Sequence, residues 1–286
     1  MAYQTVLVHL DVDGHCATRV AWGAALVAPR GVLVGAAMSG VSRLLYRGMP
    51  EPDGDQYLAL HLAFLRERAT AALDAFKQQM GNAGTPAIDG RLIDDEASSG
   101  LALQARVADL LVLSQPDAGA ELVNQVLPHA GRPVLVLPTA PGSRLGPANS
   151  PVVLPRRILV AWDASREAGR ALDSALPLLR QAELVELIVC ETDPAGRVAR
   201  DVQMADPLPY LTRHGVHATL RRHTLGGGGL FQRDAVGEAL LSIATDDGFD
   251  LMVMGAYAHS RLRETFLGGA TRTVLAKMTL PVLLEH

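Results

Sequence analysis

The stretch Leu251–Glu285 reads LMVMGAYAHSRLRETFLGGATRTVLAKMTLPVLLE, and its order of patterns decides the fold. Four apolar residues, Leu251 to Met254, stop at Gly255. A basic, turn-rich segment follows, Gly268-Gly269 opens a helical pattern, and Pro281 starts a second apolar run. Strands apolar along nearly their whole length are buried on both faces, as in parallel sheets covered by helices.

The same pattern stands earlier in the chain. Ala108–Ser114, ADLLVLS, parallels Phe249–Gly255, FDLMVMG, and Pro133–Leu137, PVLVL, parallels Pro281–Glu285. Near the N-terminus Thr5–Asp11, TVLVHLD, parallels Arg157–Asp163, RILVAWD, 152 residues on. Three matches in one order indicate a duplicated domain. Between the copies Thr139–Pro155, TAPGSRLGPANSPVVLP, is rich in Pro, Gly, Ser and Asn and has no helical period, so it reads as a linker. The expected division is a first domain at 1–139, a linker at 140–156 and a second domain at 157–286.

Strands and helices alternate in each half. The first half carries strands near 4–10, 31–37, 86–93, 109–114 and 133–137, and helices near 15–28, 55–80, 96–106 and 119–130. In the long helix, Leu58, Leu62, Leu65, Ala69, Leu73, Phe76 and Met80 recur every three or four residues and define one buried stripe. The second half carries strands near 157–162, 184–190, 216–223, 250–254 and 281–285. Its first helix starts after Asp163 and Ser165, with Glu167 in the first turn and Pro177 as a kink or a new turn. Alternation of this kind gives the fold class: α/β, two tandem doubly wound sandwiches, each on a five-stranded parallel sheet. A ligand crevice in such a fold lies at the C-terminal ends of the strands, where the winding reverses.

Composition narrows the partners. The chain of 286 residues is 49% hydrophobic with a net charge of −4, which leaves no basic face for nucleic acid. Cys16 and Cys190, one in each half, make neither a disulfide framework nor a metal set, and suggest a reducing, cytoplasmic setting. The N-terminus lacks signal-peptide features, and no apolar run reaches membrane-spanning length, so no membrane partner is expected. Several conspicuous features carry less weight. Gly226–Gly229 follows the third strand rather than the switch point and lacks a P-loop Lys-Ser/Thr. His214, His217 and His223 have no Cys or carboxylate spacing to complete a metal site. Arg221-Arg222 reads as a solvated pair, Asp246-Asp247 as loop charge, and no G-x-S-x-G nucleophile is present.

Chemistry concentrates at two strand ends. Asp163 ends the first strand of the second half and Gly255 its fourth, which places both at the switch point. Asp163 is suited to accept hydrogen bonds from a base or ribose, and equally to cap the following helix. Gly268, Gly269 and Ala270 would present backbone N–H groups at a helix N-terminus, where an anion is favoured. His259, Ser260, Arg261 and Arg263 lie on the approach, and Thr271 and Arg272 fall in the first turn.

These residues carry a resemblance over nearly the whole chain. The strand-Asp openings, the DLMVMGAYAHSRLRETFLGGATRTVL segment and the terminal PVLLE resemble the universal stress protein family in its tandem two-domain form. Nucleotide-binding members of that family have a glycine, two residues, a glycine, nine residues, a glycine, then a small hydroxyl residue. Here those positions are Gly255, Ala258, Gly268 and Gly269, so Ala258 replaces the second glycine and Gly269 replaces Ser or Thr. The resemblance implies a Rossmann-like fold binding ATP or a related adenine nucleotide, without turnover and without a metal ligand set. Asp163 and the backbone at Val189 would face the base or ribose, and Gly255, Gly268, Gly269 and Ala270 would hold ribose and phosphates. The first half departs further: Ser114 replaces the leading glycine, and 18 residues separate it from Pro133 where 25 separate Gly255 from Pro281. That half is expected to have lost the phosphate loop, with Asp11 left as a cap. Exposed apolar strand edges are usually covered. The terminal strands 133–137 and 281–285 are therefore expected to pair across the two halves, and a homodimer is a further expectation. The alternatives are a nucleotide-independent scaffold of the same fold, and a slow ATPase.

Overall fold

The computed structural model describes residues 3–40, 56–81, 86–115, 121–140, 142–145, 151–191, 206–225, 232–256 and 269–286. The chain divides into two compact units. The first holds Met1–Ser114, Gln125–Arg132 and Pro147–Val152, and the second holds Gln115–Asn124, Pro133–Gly146 and Val153–His286.

In chain order the first unit begins β1 (Tyr3–Leu10), α1 (Cys16–Leu26), β2 (Val27–Met38), α2 (Gln56–Gly81), β3 (Ala87–Ile93), α3 (Ala97–Ala105) and β4 (Leu110–Ser114). Its strands lie in the order β3-β2-β1-β4, all parallel. Helix α4 (Glu121–Ala130) and strand β5 (Val134–Leu137) follow. The second unit continues with β6 (Arg157–Ala161), α5 (Arg166–Leu179), β7 (Leu184–Glu191), α6 (Leu208–Arg213), β8 (Thr219–Thr224), α7 (Gln232–Asp246), β9 (Leu251–Gly255), α8 (Gly269–Lys277) and β10 (Val282–Glu285). Its order is β5-β10-β9-β6-β7-β8. The last five of these are parallel, and β5 runs antiparallel to β10 with Val136 opposite Val282.

Two departures from the sequence expectation have local causes. Helix α1 stops at Leu26 rather than near 28, and β2 starts at Val27. Pro29 offers no N–H and disfavours helical backbone at Ala28. The stripe of α2 is buried at Ala69, Leu73, Phe76 and Met80, but Leu62 and Leu65 are only half-buried and Leu60 and Phe64 are exposed. The helix therefore extends past the sheet that covers its C-terminal half. The side chain of Leu58 and the Gly226–Gly229 run lie outside the described residues.

The duplication is visible in hydrogen bonds as well as letters. Asp109 Oδ2 accepts from the backbone N–H groups of Gln4 and Thr5, and Asp250 Oδ2 accepts from those of Arg156 and Arg157. Asp109 and Asp250 in turn donate their own N–H groups to the carbonyls of Thr5 and Arg157. One aspartate in each repeat thus anchors the first strand to the fourth. Part of the linker is also fixed: the Arg144 guanidinium donates to the carbonyls of Thr245, in the last turn of α7, and of Phe249, just before β9. Strand β8 ends its sheet, and Arg221 and Arg222 there are not simply solvated. Arg221 pairs with Glu186 and Asp247, and Arg222 with Glu191. Charges so placed discourage edge-to-edge pairing.

Candidate functional site at the strand ends

In the second unit the chain moves from β6 to β7 and β8 on one side of the sheet order, then returns to β9 and β10 on the other. The winding reverses between β6 and β9, which are direct neighbours with Ala161 opposite Met254. Their C-terminal ends bear Asp163 and Gly255. A helix joining parallel strands runs antiparallel to them, so α8, between β9 and β10, starts from the same end of the sheet.

Asp163 Oδ1 accepts the N–H of Ser165 at 2.9 Å, and Ser165 Oγ accepts the N–H of Ala168 at 3.1 Å. Ser165 is therefore the cap of α5, while Asp163 closes the turn before it. Ala164 between them has φ 58°, left-handed backbone that costs a side-chain-bearing residue about 1 kcal/mol or more. The two side-chain hydrogen bonds flanking it hold that conformation.

Gly255 has a packing reason to be glycine. A Cβ there would lie 2.5 Å from the Ala168 nitrogen and 2.7 Å from the Glu167 carbonyl carbon, both backbone atoms. The end of β9 and the first turn of α5 touch through the missing side chain. Glu167 is buried beside it and is held by Arg166 at 2.8 Å. Burial pushes its carboxyl upward, but its own backbone N–H and Arg166 outweigh that and leave the pKa below the ordinary value.

The other expected site residues fall as follows. Val189 is buried in β7, opposite Arg222 of β8 and two residues before the strand ends. Gly269 and Ala270 are half-buried at the start of α8, and Thr271 is buried. Helix α7 packs closely on this first turn, because Gly237 has no side chain to meet the Ala270 carbonyl. Arg272 reaches Asp234 at 3.4 Å. Ala258, His259, Ser260, Arg261, Arg263 and Gly268 lie outside the described residues. His214 follows α6 and its carbonyl accepts from Arg180. No group of His, Cys, Asp or Glu able to hold a metal occurs among the described residues.

The corresponding end of the first unit contains a feature missed in the sequence. Arg19 of α1 is 2% exposed. Its Nε donates to the His9 carbonyl, Nη1 to Asp13 Oδ2 and Ser114 Oγ, and Nη2 to Asp11 Oδ1. Asp11, expected to act as a cap, instead spends one oxygen on this ion pair and on the Asp13 N–H. The N-cap position of α1 is His15, which makes no side-chain capping bond. Burial and the neighbouring Asp13 push the Asp11 carboxyl up against the pull of Arg19, whereas at Asp13 the hydrogen bond and charge of Arg19 outweigh burial and hold it down. His9 is driven down to about 3, first by burial and then by the Arg19 charge. A signal for Arg19 was present: with Trp22, Gly23 and Leu26 it has the spacing of an apolar helix stripe, where an arginine must find partners.

The fold is that of a doubly wound α/β protein whose second repeat reverses its winding between β6 and β9. Residues 155–285 match the model of the universal stress protein family. Over 46 residues the chain is 44% identical to a universal stress protein of Synechocystis and 39% identical to one of Methanocaldococcus jannaschii. Each alignment covers 16% of this chain, and covers 16% and 28% of those relatives respectively. A universal stress protein structure from Archaeoglobus fulgidus shares the fold over 98% of this chain and 95% of its own, with a TM-score of 0.69 at 14% identity. The second repeat is thus a universal stress protein domain, and the chain as a whole shares that family's fold.

Proposed function

We propose that the second unit binds ATP or a related adenine nucleotide at the C-terminal ends of β6 and β9, without turning it over. The observation that carries this reading is the position of the winding reversal, between β6, which leads to Asp163 two residues past its end, and β9, which ends at Gly255. In this reading Asp163 and the Val189 backbone face base or ribose, and the Gly255–Thr271 segment, with Ala258, His259, Ser260, Arg261, Gly268, Gly269 and Ala270, holds ribose and phosphates. The N–H groups opening α8 supply the anion-binding dipole. Against turnover, Glu167 is tied to Arg166 and Asp163 closes its turn, so neither is poised as a general base.

One observation favours a second reading, a scaffold that binds no nucleotide: contact with α5 already accounts for the glycine at 255. In either case the β5–β10 register supports pairing of the repeats' terminal strands within one chain, and two chains are proposed to associate as a homodimer. Calorimetry with ATP, ADP and AMP separates the readings. Saturable binding lost in Gly268→Glu supports the nucleotide site. Absence of binding at millimolar nucleotide supports the scaffold.

A further inference from the structure

The strand registers align the two repeats without a gap through their first helices. Val6 pairs with Leu33 and Ile158 with Val185, so both partners are displaced by the same 152 residues. Arg19 therefore corresponds to Ala171, His9 to Ala161, Asp11 to Asp163 and Asp13 to Ser165. Val6 also pairs with Leu110 and Ile158 with Leu251, which matches Ser114 to Gly255. The second unit has small or uncharged residues at four of these five positions. The first unit has there a cation with two carboxylates and a hydroxyl around it.

We infer that the Arg19 guanidinium is a tethered internal ligand, filling the strand-end crevice of the first unit so that this unit takes no external ligand. Four of its five N–H donors are used, on three different elements: the end of β1, the turn after it and the end of β4. Three side chains aimed at one buried cation make a built recognition site for a planar guanidinium. The same constellation explains why Ser114 replaces glycine, since its Oγ is one of the acceptors. The first unit's lost glycine loop is then matched by a gain: the crevice is closed from inside by a residue of its own first helix. That a nucleotide occupies the equivalent place in the second unit rests on the proposed function; the filling of the first crevice does not.

The chain carries a reporter in each unit, Trp22 on α1 and Trp162 at the end of β6. With Trp162→Phe as background, Arg19→Ala should lower the Trp22-reported melting midpoint by roughly 4–8 °C, because it removes the buried cation that the half-buried Asp11, the exposed Asp13 and Ser114 hold in common. Ethylguanidinium at tens of millimolar should recover most of that loss in Arg19→Ala and leave the Arg19 protein unmoved. An Arg19→Ala midpoint that is unchanged, or that gains no more than the Arg19 protein from the added cation, overturns the inference. If Arg19→Ala is recovered only unfolded, refolding it with and without ethylguanidinium decides the matter: a native Trp22 signal only with the cation supports the inference, and none in either overturns it. Calorimetry with ATP should then find one site per chain. A second site in the first unit counts against the filled crevice, whereas no site at all counts against the proposed function and leaves the rescue result standing.

Discussion

Gly255→Ala is expected to destabilise the second unit by about 1–3 kcal/mol. The added methyl would meet backbone, at 2.5 Å from the Ala168 nitrogen and 2.7 Å from the Glu167 carbonyl carbon, so no side-chain rotation relieves it. Either β9 or the first turn of α5 must move. Movement of α5 disturbs the Ser165 cap and the left-handed Ala164 that precedes it. The measurement is urea unfolding in a Trp22→Phe background, where Trp162 reports the second unit. A midpoint unchanged by the substitution would show that the contact between β9 and α5 is not as close as described. The first unit makes an internal comparison, because its equivalent Ser114 carries a side chain and uses it to hold Arg19.

The second large effect is acid destabilisation of the first unit. An unfolded histidine takes up its proton near pH 6.5, whereas His9 in the fold holds off protonation until about pH 3. Between those values the unfolded chain binds the extra proton, so stability falls as pH falls through the window, by up to about 1.4 kcal/mol per pH unit. Asp13, whose carboxyl is held below its ordinary value, adds to the loss once it protonates. Asp11, raised by burial, takes up its proton in the fold first and opposes the loss. The net trend follows His9 above the carboxylate range. Unfolding followed through Trp22 should show stability declining from pH 6.5 downward, with the slope flattened in His9→Gln. Equal slopes in the two proteins would mean that His9 is not the group responsible. Since His9 remains neutral, its contact with Asp11 at 3.4 Å is not an ion pair.

Much of this architecture was legible because strand and helix write different periods into the sequence. The apolar runs Leu251–Met254 and Leu110–Leu113 are buried on both faces, as their continuity implied, and the repeated Asp before each run anchors the neighbouring strand. Capping was half legible. Asp163 and Ser165 looked like equivalent caps, but only the geometry of the turn makes Ser165 the cap and Asp163 its support. Long-range effects were not legible. Gly255 suggested close approach of a ligand, yet the atoms nearest to it belong to a helix that begins 89 residues earlier in the chain. Arg19 was overlooked because its partners come from β1, the following turn and β4, and no local pattern joins them. The Leu60 and Phe64 end of α2 shows the converse limit: periodicity marks a face without showing how far the sheet beneath it extends.

The most direct measurement is a fluorescence titration of two single-tryptophan proteins with ATP. In Trp22→Phe, Trp162 adjoins Asp163 at the proposed site; in Trp162→Phe, Trp22 reports the unit filled by Arg19. A saturable change at Trp162 with none at Trp22 is the expected result. No change at millimolar ATP in either protein, or a change at Trp22 alone, would contradict a nucleotide site in the second unit.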